Sequence, residues 1–312
     1  MSGEREEPIR AGLNLAITFA ALVVCLAALH VASHAGHWSI VAGAAVVFAL
    51  FNNTLFSLLH EAVHGIYAPD PRLNRIAGIM LAAMFPTSFT MQKIAHLGHH
   101  RRNRTDEEMY DYYLPTQSRW VKWYWLLCLL SGAYWSIIPL AALTFLLLPG
   151  VFSTGWFQKG PARWWGFVPF VRDIAAHPWR PIWLELLFTA AFQAALWMAL
   201  DLNFIGWIAC YWAFGLVWSA MQYVNHAWTE RDVLNGAWNL RTSDVMRLIF
   251  LNYTLHLAHH QNPSVPWPYL PAHIDPRPHR PTFWKIYFSL WMGPRPAPPG
   301  PGPKPLDDVP VS

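Results

Sequence analysis

Charge is what this sequence has least of. Of its 312 residues only 13% are Asp, Glu, Lys or Arg, against about 25% in an ordinary soluble domain. Together with 19 Trp, that shortage excludes a disordered chain, a coiled coil and a typical cytosolic enzyme. Cysteine is scarce as well. Cys25, Cys128 and Cys210 lie far apart in apolar runs, so there is no disulfide framework, CxxC pair or thiolate zinc site. Any metal chemistry must use other ligands. No basic block with interleaved aromatics is present, and the net charge of +4 is scattered, which sets nucleic acid aside as a partner. The chain also lacks a P-loop, a GxGxxG turn and a long-period repeat.

What the sequence has is apolar length. Hydrophobic residues make up 54%, and a spanning helix needs about 20 of them in a row. Four segments meet that requirement: Ala11 to Ala32, Trp38 to Leu59, Ile182 to Leu200 and Phe204 to Val224. The first is not expected to be a signal peptide, because its flank carries Glu4, Glu6 and Glu7 and its apolar core exceeds the length typical of one. Ser33 to His37 joins the first pair and Asp201 to Asn203 the second, so each pair is expected to form a tight hairpin. With these four spans all 22 Lys and Arg fall on the side of the N-terminus, which the positive-inside rule makes cytoplasmic.

A fifth apolar stretch, Trp123 to Leu148, would break that sidedness if it crossed. It would put Lys159, Arg163, Arg172 and Arg180 outside. It is therefore expected to be re-entrant or interfacial, broken at Gly132 and Pro139. Ile76 to Phe89, with Pro86, is too short to cross twice and is placed in the interface. The expected fold is an all-α, multi-span membrane bundle with two transmembrane hairpins and a cytoplasmic His-rich cap. It forms a single domain over 1–292, followed by a Pro- and Gly-rich tail, 293–312, expected to be disordered.

The chain carries 15 His, and nine fall in four places: His60 and His64; His96, His99 and His100; His226; and His256, His259 and His260. On a helix, residues four apart are offset by about 40° and residues three apart by about 60°, so each cluster projects its rings from one face. All four places lie on the expected cytoplasmic side and can converge. Gly65 suits a left-handed stop after His64, and Asn262-Pro263 is expected to end the helix carrying His259 and His260. His30, His34, His37, His177, His273 and His279 read as ordinary hydrogen-bonded surface histidines. Clustered polar groups at a bilayer edge mark function instead.

Nine imidazoles exceed what one zinc takes, and two metals with four or five ligands each account for them. Carboxylates are absent from the positions a carboxylate-bridged di-iron bundle uses, so the expectation is a His-rich dinuclear centre. Softness alone admits iron, copper, nickel or zinc. A competing motif is HEAVH at 60 to 64, the HExxH of zinc proteases. An intramembrane protease would leave the two HxxHH clusters without a role.

These boxes, HEAVH at 60 to 64, HLGHH at 96 to 100 and HLAHH at 256 to 260, resemble those of the membrane fatty acid desaturase family. The run HHQNPSVPWPYLP from His259 is similar to the ending of the third box in desaturases and carotenoid-modifying relatives. The resemblance covers roughly Asn52 to Pro271. It implies two non-haem irons held by the nine histidines, with dioxygen as co-substrate and the centre itself, rather than a separate acid or base, as the catalytic group. It implies an oxygen-dependent enzyme that desaturates the acyl chain of a fatty acid or lipid, or a hydroxylase, monooxygenase or carotenoid ketolase with the same centre. Related enzymes place an Asn near the extra histidine that reaches a metal through water, and here Asn225 and Gln222 are the candidates.

Metal-bound imidazoles usually donate to a further partner, a role open to Asp106, Glu107 or Asp111. A substrate tunnel is expected to run from the bilayer to the site. Most tryptophans, Trp164 and Trp165 included, read as interface anchors, and Trp228 and Trp267 are candidates for the tunnel wall or for core packing. Electrons must come from an external ferredoxin- or cytochrome-type donor. Arg101, Arg102 and Arg104 could steer such an acidic carrier or anchor lipid headgroups.

Overall fold

The computed structural model describes residues 7–276 and 279–306. Four helices are long and apolar enough to cross a membrane: α1 (Ala11–His34), α2 (Trp38–Val63), α10 (Trp179–Ala199) and α11 (Phe204–Val224). They match the four expected segments, with α2 running four residues further, so that His60 sits in its last turn. α1, α2 and α11 pack on one another around Cys25, Leu29, Phe48, Tyr211 and Phe214. α10 stands apart and rests on the helices Pro71–Met84, Phe89–Arg102 and Ile137–Leu147. It meets α11 through Gln193, whose amide donates to the Tyr211 hydroxyl at 3.1 Å.

The start of α1 lies at the same end as the end of α2. Asn14 donates to the Tyr67 carbonyl at 2.9 Å and accepts from the Trp267 indole at 3.1 Å. This end carries the histidines.

Between the pairs lie α3 (Pro71–Met84) and α4 (Phe89–Arg102). Asp70 caps α3 through the Arg72 amide at 2.8 Å, with Pro71 in its first turn. Ser88 caps α4 through the Met91 amide, and this end is pinned from α10 by Glu185. That buried carboxylate accepts from Ser88 Oγ at 2.7 Å, Thr90 N at 2.8 Å, Thr90 Oγ1 at 2.9 Å and Arg75 Nη2 at 2.5 Å. An anion is favoured at a helix N-terminus, so Glu185 sets where the helix carrying His96, His99 and His100 begins.

The fifth apolar stretch is α5 (Arg119–Ser131), a 3₁₀ turn (Ala133–Ser136) and α6 (Ile137–Leu147). The two arms are bent by 97° at Gly132. Gly132 has φ +81 and presses on α11 so closely that a Cβ would lie 2.6 Å from the Leu216 nitrogen. Both facts require glycine. Pro139 does not break the chain, as expected, but lies in the first turn of α6, where no backbone donor is needed. Three short helices follow, α7 (Gly155–Lys159), α8 (Pro161–Trp165) and α9 (Val168–Ala175).

Beyond α11 the chain forms α12 (Asp244–Ile249), α13 (His256–Gln261) and α14 (Phe283–Leu290). The tail departs from expectation over residues 293–306. Arg295–Pro296 pairs in parallel with Tyr112–Tyr113, and the Leu306 amide donates to the Arg101 carbonyl at 2.9 Å. The Arg295 guanidinium lies 4.1 Å from the centre of the Trp228 ring. A proline-rich chain cannot build helix, yet these extended residues find partners on the loop after α4. Residues 307–312 lie outside the described residues.

Removing the carboxylate in Glu185→Ala is expected to cost about 3 kcal/mol of stability, read as a lower melting temperature in detergent. Arg75→Ala, at a half-exposed partner, is expected to cost clearly less. An unchanged melt for Glu185→Ala would show that α4 is anchored by other contacts.

Candidate metal centre

All nine clustered histidines come together at the end of the bundle, and they divide into two groups. His60, His64, His96, His100 and His259 form one, and His99, His226, His256 and His260 the other. Within each group one nitrogen per ring lies within 4.8 Å of all the others. His100 and His260 stack at 4.2 Å and bring the groups side by side.

Local sequence explains the placement. His60 and His64 close α2, and Gly65, at φ +77, turns the chain away. His96, His99 and His100 occupy the second half of α4. His226 follows directly on α11, whose C-cap is Asn225. α13 carries the last three and ends at Asn262, and Asn239 Oδ1 takes its Ala258 amide at 3.0 Å.

The ring nitrogens are arranged for a cation. Nε2 of His96 lies 2.9 Å from that of His64 and 3.0 Å from that of His100, which lies 3.0 Å from that of His259. A ring nitrogen has one proton or one lone pair, so these shared contacts cannot all be hydrogen bonds. Two ligand nitrogens about 2.1 Å from one ion and at right angles to each other are about 3 Å apart.

The second group makes the same point through its tautomers. His99 Nδ1 faces Glu108 Oε2 at 3.0 Å, and His226 Nδ1 faces the Gly236 carbonyl at 2.9 Å. Both partners only accept, so both Nδ1 atoms carry protons. In the tautomer protonated at Nδ1 alone the lone pair sits on Nε2, and the two Nε2 atoms lie 3.1 Å apart, within reach of one cation. Other buried nitrogens there lack a partner among the described residues, including Nε2 of His60 and of His260.

Burial keeps these rings neutral. It is the first cause that pushes His64, His96, His100, His226, His256, His259 and His260 well below the ordinary range, and neighbouring groups, chiefly other imidazoles, add to it. Neutral imidazole is the form that binds a metal.

The carboxylate that orients a ring is Glu108, which the sequence reading passed over. Asp106 pairs with Arg231. Glu107 is exposed on the rim of a cavity. Asp111 is fully buried, but it bonds Arg104 Nη1 at 2.7 Å, the Tyr223 hydroxyl at 2.5 Å and the Trp228 amide at 2.7 Å. All four carboxylates share the stretch after α4. Only the turn at Asn103 to Thr105, outside any helical register, decides which one folds back.

The arginines also differ from expectation. Arg101 and Arg102 bond Asp173 at 2.9 and 2.6 Å, Arg102 also bonds Glu108 at 3.0 Å, and Arg104 is sealed against Asp111. Their charge is used inside the fold, because each is paired with a carboxylate, buried for Asp111 and partly buried for Asp173 and Glu108.

Asn225 is fully buried, and both its side-chain atoms lack partners among the described residues. Gln222 Oε1 accepts from Tyr253 at 3.1 Å, while its Nε2 is unpartnered. Glu61 of HEAVH accepts from the Trp267 amide at 3.0 Å.

A cavity of about 410 Å³ opens beside the centre, with His96, His99, His226 and His256 in its wall. Ile138, Ala141, Phe157, Phe167 and Phe170 supply much of the remainder. Trp165 and Trp218 line it, whereas Trp228 and Trp267 do not. The Trp228 indole instead donates to Ser289 at 2.7 Å.

Comparison with known proteins gives one family. The model of the fatty acid desaturase family matches residues 36–291. No curated protein matches the chain.

Glu108→Gln is expected to weaken metal retention by the four-histidine group about 10- to 100-fold, leaving the five-histidine group loaded. Elemental analysis during graded chelation would then show two phases of loss, and a single unchanged phase would remove Glu108 from this role.

The depressed histidines also set a pH dependence. The unfolded chain takes up protons as pH falls through about 6.5, whereas the folded chain does not, so stability rises with pH in that window. Metal-free protein is therefore expected to melt lower at pH 5.5 than at pH 7.5. A flat or inverted profile would contradict the neutral cluster.

Proposed function

The chain belongs to the fatty acid desaturase family, and from that premise we propose that it is an oxygen-dependent, di-iron membrane oxidoreductase that desaturates the acyl chain of a lipid-soluble substrate. The observation that carries this reading is the pairing of two neutral histidine groups with an apolar cavity that reaches them. One iron would be held by His60, His64, His96, His100 and His259, and the other by His99, His226, His256 and His260. Asn225 and Gln222 would be the candidates for a contact through water, as their unpartnered amide atoms support.

Bound there, the two irons would supply activation of dioxygen and removal of hydrogen from an unactivated C–H bond. The protein's own residues do the rest. Glu108 and the Gly236 carbonyl fix ring orientation, and burial keeps the imidazoles unprotonated. The apolar wall holds a chain against the centre and excludes water, which protects a strong oxidant from side reactions.

For desaturation the balance is one dioxygen, two external electrons and two protons, giving one double bond and two waters. A ferredoxin- or cytochrome-type donor supplies the electrons. Lys and Arg distribution supports a cytoplasmic location for the N-terminus and the histidine end. Between α5 and α6, the bend at Gly132 fits a segment that enters and leaves on one side.

Detergent-purified protein is expected to hold about two irons per chain by elemental mass spectrometry. His99→Ala and His259→Ala should each abolish turnover while leaving membrane insertion intact. With donor and oxygen present, products should lose two hydrogens. Gain of one oxygen would move the assignment to a hydroxylase or ketolase, and one zinc per chain would overturn it.

A further inference from the structure

The cavity wall contains four residues that are themselves exposed: Glu107, Leu140, Trp165 and Gly166. They mark two unlike rims. Glu107 follows the box-two helix, beside Glu108, at the aqueous end of the histidine cap. Leu140 is on α6, whose outer face leaves Leu140, Leu143, Leu147 and Leu148 at least half exposed. Trp165 and Gly166 close α8. On α7 and α8, Trp156 and Trp164 are each 72% exposed, and Lys159 and Arg163 are exposed beside them. Exposed leucines on one helix, with tryptophans and cations on the next, form the surface that a protein presents to the acyl and headgroup layers of a bilayer.

Charge separates the rims further. The one cation in the cavity wall is Arg102, which is buried and fully engaged by Glu108 and Asp173. The anions in the wall are Glu107 and Glu108. Among the side chains of the wall, a phosphate or carboxylate drawn in would meet two carboxylates and no free Lys or Arg, an arrangement that disfavours an anionic ligand on the way to the centre.

On the reading of this site as a lipid oxidoreductase, we propose that its substrate is a bilayer-resident lipid. Its uncharged chain enters sideways between Leu140 and Trp165, and it is not presented from water as a thioester of coenzyme A or of a carrier protein. The volume of about 410 Å³ holds a single chain rather than a whole lipid. The headgroup stays at the level of Lys159 and Arg163.

The test uses full-length, metal-depleted protein in lipid nanodiscs, so no chemistry at the metals is required. Two probes carry the same photoreactive diazirine chain, one as a phosphatidylcholine ester in the disc and one as a coenzyme A thioester added from water. Peptides containing cavity residues are then quantified by mass spectrometry.

The lipid ester is expected to label the cavity, and excess unlabelled acyl-coenzyme A should not displace it. Leu140→Trp, which narrows the apolar rim at an exposed position, should cut this labelling about tenfold. Leu143→Trp, on the same outer face of α6 but outside the cavity wall, should leave it within twofold and control for folding. Labelling by the thioester with displacement of the ester, or equal labelling in Leu140→Trp and wild type, would overturn the proposal. A protein that binds the ester this way yet shows no oxidation would fail the functional reading alone.

Discussion

Four helix C-termini meet at one point, and the rest of the structure follows from that. His60 lies in the last turn of α2, His99 and His100 in that of α4, and His259 and His260 in that of α13, while His226 comes immediately after α11. Each terminus brings the negative end of a helix dipole, and burial disfavours charge on seven of the rings. Uncharged nitrogen donors therefore converge in a field that favours a cation without any carboxylate ligand. The two ingredients depend on each other, since charged imidazoles packed at 3 Å would repel.

Holding these termini together requires anchors at the opposite ends of the same segments and around their loops. Glu185 fixes the beginning of α4 from α10. The buried Arg104–Asp111 pair joins the loop after α4 to Tyr223 and Trp228, on either side of His226. Glu61 and Asn14 tie the loop after α13 to α2 and α1 through Trp267. Each uses a buried polar group whose partner comes from a distant part of the chain, so each links elements that apolar packing alone would leave free to slide.

How much of this could be read from the sequence depended on range. Periodicity and spacing are local, so the four spans, the stop at Gly65, the break at Gly132 and the nine histidines were legible. Pairing across loops was not. Nothing local distinguishes Glu108 from Asp106, Glu107 or Asp111, because the turn at Asn103 sets the direction of each. In the same way Arg101, Arg102 and Arg104 look like a surface patch until Asp173 arrives from α9 to meet the first two and Asp111 folds back onto the third. The tail's composition suggested disorder, yet backbone donors at Arg295 and Ala297 meet carbonyls at Asp111 and Tyr113.

The two histidine groups are chemically unequal, and the inequality fits a division of labour. Five nitrogens surround the first group, and only His96 among them faces the cavity. The second has four, three of which line the cavity, with the unpartnered Asn225 side chain beside His226 and the Gln222 amide in the wall. An ion with fewer protein ligands and an adjoining space retains room for an exogenous group, as open metal sites do. Glu108 donates its electron density to this same group through His99, and it also bounds the cavity. The ring orienter, the unpartnered amides and the apolar chamber therefore fall on the four-histidine group. The five-histidine group lies behind it, with His96 alone in the cavity wall.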